Sequence, residues 1–313
     1  MERREELIRK LRFRDLQLVL SLDRHRSLQR VASDFALTPP AVTKILQEIE
    51  RTLRCRLFDR TTRQVTPTPS GEMLVRHAAL MLSQLDLLDR QLEGVERGLA
   101  GVRRLGVHTY AHPGLLPYLS SRLAERAPLL RLAIVEAGTD ALIQMLSDGR
   151  VDLVVGRVSA RFSASLLRQS HLYSEPGLVV ASPGHALAAR RAARLEECLQ
   201  ARWTLPAEGS PTRVAIDAMF AVAGLPVPDP VLEIMSLGSV IAALTGGDLL
   251  TVLPKALARR LEAHGMIVCL PMAVECDLPA VSLYTLRDGF QDPAVNLVAR
   301  EVQHFAAPLG KAS

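Results

Sequence analysis

Arg60 and Arg63 stand three residues apart in the run Asp59-Arg60-Thr61-Thr62-Arg63-Gln64-Val65-Thr66, with hydroxyls between them. Guanidinium groups so placed at a loop tip suit phosphate or minor-groove contact, which fixes register on a duplex without reading base identity; ordinary surface charge is the other reading. Ser210 and Thr212 stand at the start of an expected helix, where hydroxyls and backbone N–H groups attract a carboxylate or phosphate, or simply cap. His108 and His112 share the spacing of a helical metal pair. His108 ends an expected strand, however, and Pro113 follows His112, so the rings share no helical face and no metal is expected. Cys55, Cys198, Cys269 and Cys276 are scattered and include no CxxC. Reduced structural thiols are therefore expected, a redox switch through Cys269 and Cys276 being the alternative. The sequence holds no GxGxxG, P-loop, HExxH or GxSxG motif and no defensible pairing of nucleophile and base. The chemistry indicated is binding; neither enzymatic activity nor a cofactor is expected.

Elements that would position these residues can be read from periodicity. Apolar residues at helical spacing mark three successive segments: Phe13, Leu16, Val19 and Leu20; Leu28, Val31, Ala32 and Phe35; Val42, Ile45, Leu46, Ile49 and Leu53. The second follows Ser27, an acceptable N-cap, and the third follows Thr38, with Pro39 at the first helical position. Only Ala36 and Leu37 separate helix two from that cap, which describes a helix-turn-helix whose second helix enters the major groove by its N-terminal residues. Leu57 and Phe58 anchor a short strand, and Asp59 to Thr66 reads as a β-hairpin wing beside the reading helix. Charge agrees with this: residues 1–66 carry 15 Lys and Arg against 9 Asp and Glu, while the other residues carry 23 against 24. All the excess of the net +5 lies at one end, as a polyanion-binding module requires, although a merely solvated basic face would look the same.

The stretch SLQRVASDFALTPPAVTKILQEIERTLRCRLFDRTTRQVTPTPSG resembles the winged helix-turn-helix of LysR-type transcriptional regulators. That resemblance implies that Thr38, Pro39, Pro40, Thr43 and Lys44 face the DNA groove. Pro39 stands where the family very often has Gln, and Ile45 where a polar residue is common. A proline side chain has neither donor nor acceptor, so direct readout falls more heavily on Thr43, Lys44 and the wing.

From Ser70, Leu74, Ala78, Met81, Leu85, Leu88, Leu92 and Val95 recur in steps of four and three, a heptad seam that predicts pairing with a second copy. A helix buried against its own domain is the alternative. Gly94, Gly98 and Gly101 are expected to end it and provide a hinge. Beyond Arg103 short β-rich runs alternate with helical patterns. Strands are expected at 104–108, 130–136 and 151–155, with helices at 114–126 and 139–148. A second series follows: strand 178–181, helices 212–223 and 237–244, strand 249–253 and helix 255–263, then strand 281–285 and helix 296–305. This is a parallel-sheet α/β pattern in two lobes, with a cleft suited to a small molecule.

This half resembles the effector-binding domain of the same regulators, similar to type 2 periplasmic binding proteins. The expected fold is thus an N-terminal all-α winged helix-turn-helix plus long linker helix, then a C-terminal α/β two-lobed effector domain of type 2 periplasmic-binding-protein-like fold. Boundaries follow: 1–69 for DNA binding, 70–98 for the linker and dimerisation helix, 102–309 for effector binding, with lobe I at 102–175 and 272–309 and lobe II at 176–271. By resemblance the pocket is lined by His108, Thr109 and Tyr110, by Glu136, Gly138 and Thr139, by Gly156, by Ser210 and Thr212, and by Met235 and Ser236. Glu136 and His108 leave a sugar or other polyol beside an anion as the effector class. DLVVGR (Asp152 to Arg157) and WTLPAEGSPTR (Trp203 to Arg213) look closest to the branch with sugar- and aromatic-acid-responsive members. The resemblance implies a dimer or dimer of dimers on double-stranded promoter DNA, a small organic effector, and RNA polymerase as a further partner. An apolar run reaching the roughly 18 residues of a membrane span is missing, and Met1 to Arg14 is dense in Arg and Glu, so a cytoplasmic protein is expected. Two rivals stand beside this: an architectural DNA-binding protein without effector, and a cytoplasmic two-lobed solute-binding protein.

Overall fold

A computed structural model describes residues 5, 9–60, 65–157, 167–287 and 292–311, and its contacts divide the chain into Met1–Arg90 and Gln91–Ser313. In the first unit the three helical segments are α1 (Phe13–His25), α2 (Leu28–Asp34) and α3 (Pro39–Leu53). α2 and α3 bury the faces their apolar spacing marks, Val31 and Ala32 in one and Val42, Leu46 and Ile49 in the other, whereas α1 buries Leu16, Leu18, Val19 and Leu22 and leaves Phe13, expected on its apolar face, exposed. The Ser27 hydroxyl caps α2 by accepting from Arg30 N–H at 3.4 Å, and Pro39 and Pro40 occupy the first two positions of α3, where a missing N–H breaks no helical bond. Ala36, between the helices, takes a left-handed φ of +53°, and Leu37 N–H reaches back to Ala32 O at 2.8 Å.

The wing is an antiparallel pair, β1 (Phe58–Arg60) with β2 (Val65–Pro67), in which Phe58 faces Pro67 and Arg60 faces Val65. Glu50 of α3 fixes it to the helices by accepting from Leu57 N–H at 2.8 Å. Thr68 then joins wing to linker: its N–H donates to Leu57 O at 2.9 Å, its hydroxyl donates to Arg56 O at 2.7 Å, and Gly71 N–H donates to that hydroxyl at 3.1 Å. The linker, α4 (Pro69–Arg97), is 29 residues long. It runs through Gly94 rather than breaking there, because a single glycine inside a long helix costs only about 1 kcal/mol; the left-handed residue that follows its end is Gly98, at φ +58°. Leu74 and Val75 pack on the three-helix core. Farther along, Met81, Leu85, Leu88 and Leu92 are exposed.

In the second unit the order is β3 (Gly101–His108), α5 (Leu115–Arg126), β4 (Leu130–Ala137), α6 (Thr139–Ser147), β5 (Leu153–Arg157), β6 (Leu167–Tyr173), β7 (Gly177–Ala181) and α7 (Leu195–Cys198). There follow β8 (Arg202–Leu205), α8 (Pro211–Val222), β9 (Pro230–Glu233), α9 (Leu237–Gly246), β10 (Leu249–Pro254), α10 (Lys255–Ala263), β11 (Val268–Cys269), β12 (Val281–Leu286) and α11 (Pro293–Ala306). Two five-stranded sheets result, ordered β4-β3-β5-β12-β6 and β11-β7-β10-β8-β9. β3 runs parallel to β4 and β5, while β12 returns antiparallel between β5 and β6, so the end of the chain completes the first sheet. Leu105, Leu153 and Leu283 pack there on Leu119 of α5 and Leu297 of α11. Across the second sheet Trp203 meets Phe220 edge to face at 5.5 Å, and its ring N–H donates to Cys198 O at 2.8 Å.

Among these strands, β6, β8, β9 and β11 lie outside the runs expected from the sequence. β6 and β9 are edge strands with mostly polar or exposed residues, and β9 opens with Pro230, which an edge tolerates. β11 has only two residues. Among the described residues no helix is long and apolar enough to cross a membrane.

Candidate functional site

α3 turns Val42, Leu46 and Ile49 inward, which leaves Thr38, Pro39, Pro40 and Lys44 exposed and Thr43 half-buried. Lys44 makes no ion pair among the described residues. Gln47, one turn beyond Lys44 on the same stripe, is also exposed. Its i+3 spacing from Lys44 would have revealed it in the sequence, and its amide can pair bidentately with an adenine edge. Arg60 ends β1, whereas Arg63 lies outside the described residues.

The second candidate site gathers at the ends of β3, β4 and β5 and the helices facing them. His108 ends β3, is 6% exposed, and accepts Tyr110 N–H on Nδ1 at 3.1 Å. Burial, with the neighbouring Arg157 charge as a second cause, pushes its pKa down to about 3, so the ring is neutral at ordinary pH. Thr109 is half-buried. Tyr110, expected on the cleft wall, is buried with the apolar residues of the second sheet, and its hydroxyl donates to Ile234 O at 3.5 Å. Burial raises that hydroxyl to about 12, which keeps it a donor.

Glu136 is exposed, Gly138 precedes α6, and Thr139 is its first residue. Thr139 is 2% exposed, yet its hydroxyl has no partner among the described residues. A Cβ on Gly156 would lie 2.9 Å from that hydroxyl, and one on Gly138 would lie 3.5 Å from Met235 Cε. Glycine at 156 is thus what lets Thr139 approach the end of β5, and Met235 brings the segment before α9 to the start of α6. Across the unit, the Ser210 hydroxyl is occupied as the cap of α8, accepting Arg213 N–H at 3.4 Å. Thr212 is buried with an unpartnered hydroxyl, and Ser236 is exposed at the head of α9. Sequence reasoning missed Thr204 on β8, also fully buried and unpartnered; a hydroxyl inside the apolar run Trp203–Leu205 was its signal.

The chain passes between the two sheets after Tyr173 and again after Cys269. Arg157, 1% exposed at the end of β5, ties these passages together: one guanidinium nitrogen donates to Pro279 O at 2.6 Å and another to a Glu175 oxygen at 3.4 Å. The other Glu175 oxygen accepts Ala256 N–H of α10 at 3.0 Å. His112 accepts Gly114 N–H on Nδ1 and packs its ring against Phe305 at 5.2 Å. Among the described residues no three metal-ligating side chains gather. Burial raises Cys198 and Cys269 to about 11 and Cys276 to about 12, well away from thiolate chemistry.

Residues 13–72 match the family of bacterial regulatory helix-turn-helix proteins, lysR family, and residues 96–307 match the LysR substrate binding domain. The HTH-type transcriptional regulator GbpR of Azospirillum brasilense is 29% identical over 280 residues, covering 89% of this chain and 82% of that protein. GalR of Pseudomonas putida, also an HTH-type transcriptional regulator, is 32% identical over 281 residues, covering 90% and 70%. Among solved structures, full-length CbnR complexed with its target DNA superposes with a TM-score of 0.70 at 16% identity, covering 94% of this chain and 99% of that one.

Proposed function

Since the chain belongs to the LysR family of bacterial transcriptional regulators, DNA-binding proteins with an effector-binding domain, we propose how its own residues divide that work. α3 reads promoter DNA through Thr43, Lys44 and Gln47, while Thr38, Pro39 and Pro40 seat its head and Arg60 and Arg63 hold the backbone. The carrying observation is that Lys44 stands exposed and unpaired on the face opposite the buried Val42, Leu46 and Ile49. Binding-site selection on random duplexes, followed by titration of the selected site and of random DNA, tests this reading. Lys44→Ala weakens the selected site most and relaxes its base preference, whereas Arg63→Ala weakens both DNAs alike. Equal losses on both DNAs for both variants defeat the assignment.

A second copy covers the exposed seam of Met81, Leu85, Leu88 and Leu92, giving a dimer able to span two half-sites, and two dimers then form a tetramer. Such an assembly on promoter DNA works in the cytoplasm, with RNA polymerase as its neighbour; it carries no catalytic step. A small organic effector binds among His108, Thr109, Glu136, Gly138, Thr139, Gly156, Ser210, Thr212, Met235 and Ser236. Buried hydroxyls without partners at the first turns of α6 and α8 support this, because such groups cost stability unless something pairs them. A neutral His108 and the two threonine hydroxyls suit a hydrogen-bonding ligand, a polyol or a carboxylate alike. The effector shifts the regulator by its differential affinity for two lobe arrangements.

A further inference from the structure

Tyr110 stands two residues past β3, on the side of the first sheet, yet it is 4% exposed in the apolar cluster of Leu178, Val180 and Leu253 of the second sheet and Leu257 of α10. Its hydroxyl reaches the Ile234 carbonyl at 3.5 Å. The turn that carries it is held firmly: Tyr110 N–H donates to His108 Nδ1 at 3.1 Å, and Ala111 N–H to His108 O at 2.9 Å. Two covalent passages between lobes leave them free to bend about the line joining those passages. A large ring rooted in one lobe and buried in the core of the other resists that bending, because withdrawing it would expose its apolar faces and the seat it fills.

We propose that Tyr110 is a third, non-covalent joint of the effector unit, a pin that sets the separation of the two lobes. The pin lies beside Thr109, so movement of residues 108–109 is passed directly into the second lobe's core. This inference stands apart from the effector assignment, and its test needs no effector.

The full-length protein, with the partly exposed Cys55 replaced in every background (Cys55→Ser), carries spin labels at Arg131→Cys and Arg191→Cys, exposed positions on the first and second lobes, and labelled chains are diluted with unlabelled ones so that each measured distance lies within one chain. Double electron–electron resonance then reads the interlobe distance distribution in four backgrounds. Tyr110→Ala at least doubles its width, and Tyr110→Phe, which keeps the ring, leaves it as in the parent. Leu244→Ala, which hollows the same apolar cluster from a residue of the second lobe itself, also leaves it unchanged. A merely structural ring would give Tyr110→Ala and Leu244→Ala the same distribution, and that result, or a Tyr110→Ala width equal to the parent's, overturns the proposal. Where Tyr110→Ala is not recovered folded, Tyr110→Leu replaces it: broadening relative to Tyr110→Phe supports the pin, and equality with Tyr110→Phe overturns it.

Discussion

Replacing Gly71 by alanine would place a methyl carbon 1.9 Å from the carbonyl oxygen of Leu57, 3.0 Å from its carbon and 3.1 Å from Pro67 Cβ. Carbon and oxygen at their closest favourable approach stand about 3.3 Å apart, so one backbone must retreat by about 1.4 Å. The obstacle is main chain, not the end of a flexible side chain. Retreat of Leu57 stretches the bond from Thr68 N–H at 2.9 Å and that from Leu57 N–H to Glu50 at 2.8 Å, each worth about 1 kcal/mol net. It also loosens the buried Leu57 and Phe58. With overpacking alone costing about 1–3 kcal/mol and the two bonds stretched rather than broken, losing about 1 kcal/mol between them, the total is about 2–4 kcal/mol. For a unit of this size that lowers the melting temperature by roughly 10–30 °C. Calorimetry of the full chain should show the transition of the N-terminal unit falling by this amount while that of the effector unit holds, and DNA affinity at 37 °C should fall with it. Gly98→Ala is the control: its φ is +58° but nothing lies within 4 Å of the added carbon, so the cost is only about 1–2 kcal/mol of backbone strain. If Gly71→Ala melts within two or three degrees of the parent (roughly 0.5 kcal/mol), the wing and linker are not packed as described.

Lys44→Ala should cost about 1–3 kcal/mol on the selected duplex and little on random DNA, measured by fluorescence anisotropy at fixed salt; an equal loss on both removes Lys44 from base readout. Leu88→Asp places a charge in the exposed linker seam and should convert the protein to monomers in sedimentation equilibrium, unchanged mass showing that the seam is not the interface. His108 is protonated less readily when folded than when unfolded, because its pKa falls from 6.5 to about 3. Its contribution is therefore complete above about pH 6.5 and is lost as pH falls towards 3, on the order of a few kcal/mol. The effector unit of the parent should melt earlier with acidification through this window, and His108→Gln should flatten that slope; parallel slopes would show that this imidazole does not titrate on unfolding.

Where local pattern and tertiary packing agree, the sequence foretold the structure. Pro39 marks the start of α3, where the helix begins, and Val42, Leu46 and Ile49 on its face and Leu57 and Phe58 at the entry to the wing are all buried. The strands of the second sheet were harder to read. β9 carries no alternation between buried and exposed residues because it is an edge strand exposed along most of its length. Tyr110 illustrates a different limit. Its position after β3 put it among the expected pocket residues, but nothing local says that its ring crosses into the opposite lobe, since that depends on where β7 and β10 lie. The unpartnered hydroxyls of Thr139, Thr204 and Thr212 are likewise properties of surroundings assembled from distant segments.

The paired prolines at the head of α3 carry a consequence for how the protein grips its operator. Most helices offer several free amide hydrogens at their leading end, and these commonly clamp a phosphate. Pro39 and Pro40 have none to give, and Ala41 N–H is already spent on Thr38 O at 2.9 Å. If this head meets the sugar-phosphate rail as proposed, only the Thr38 amide is left to it from the rigid backbone, and anchorage falls mainly on ionic side chains, each of which displaces a condensed cation from the duplex. Affinity should decline steeply with added potassium chloride, with a logarithmic slope close to 0.9 times the number of Lys and Arg contacts.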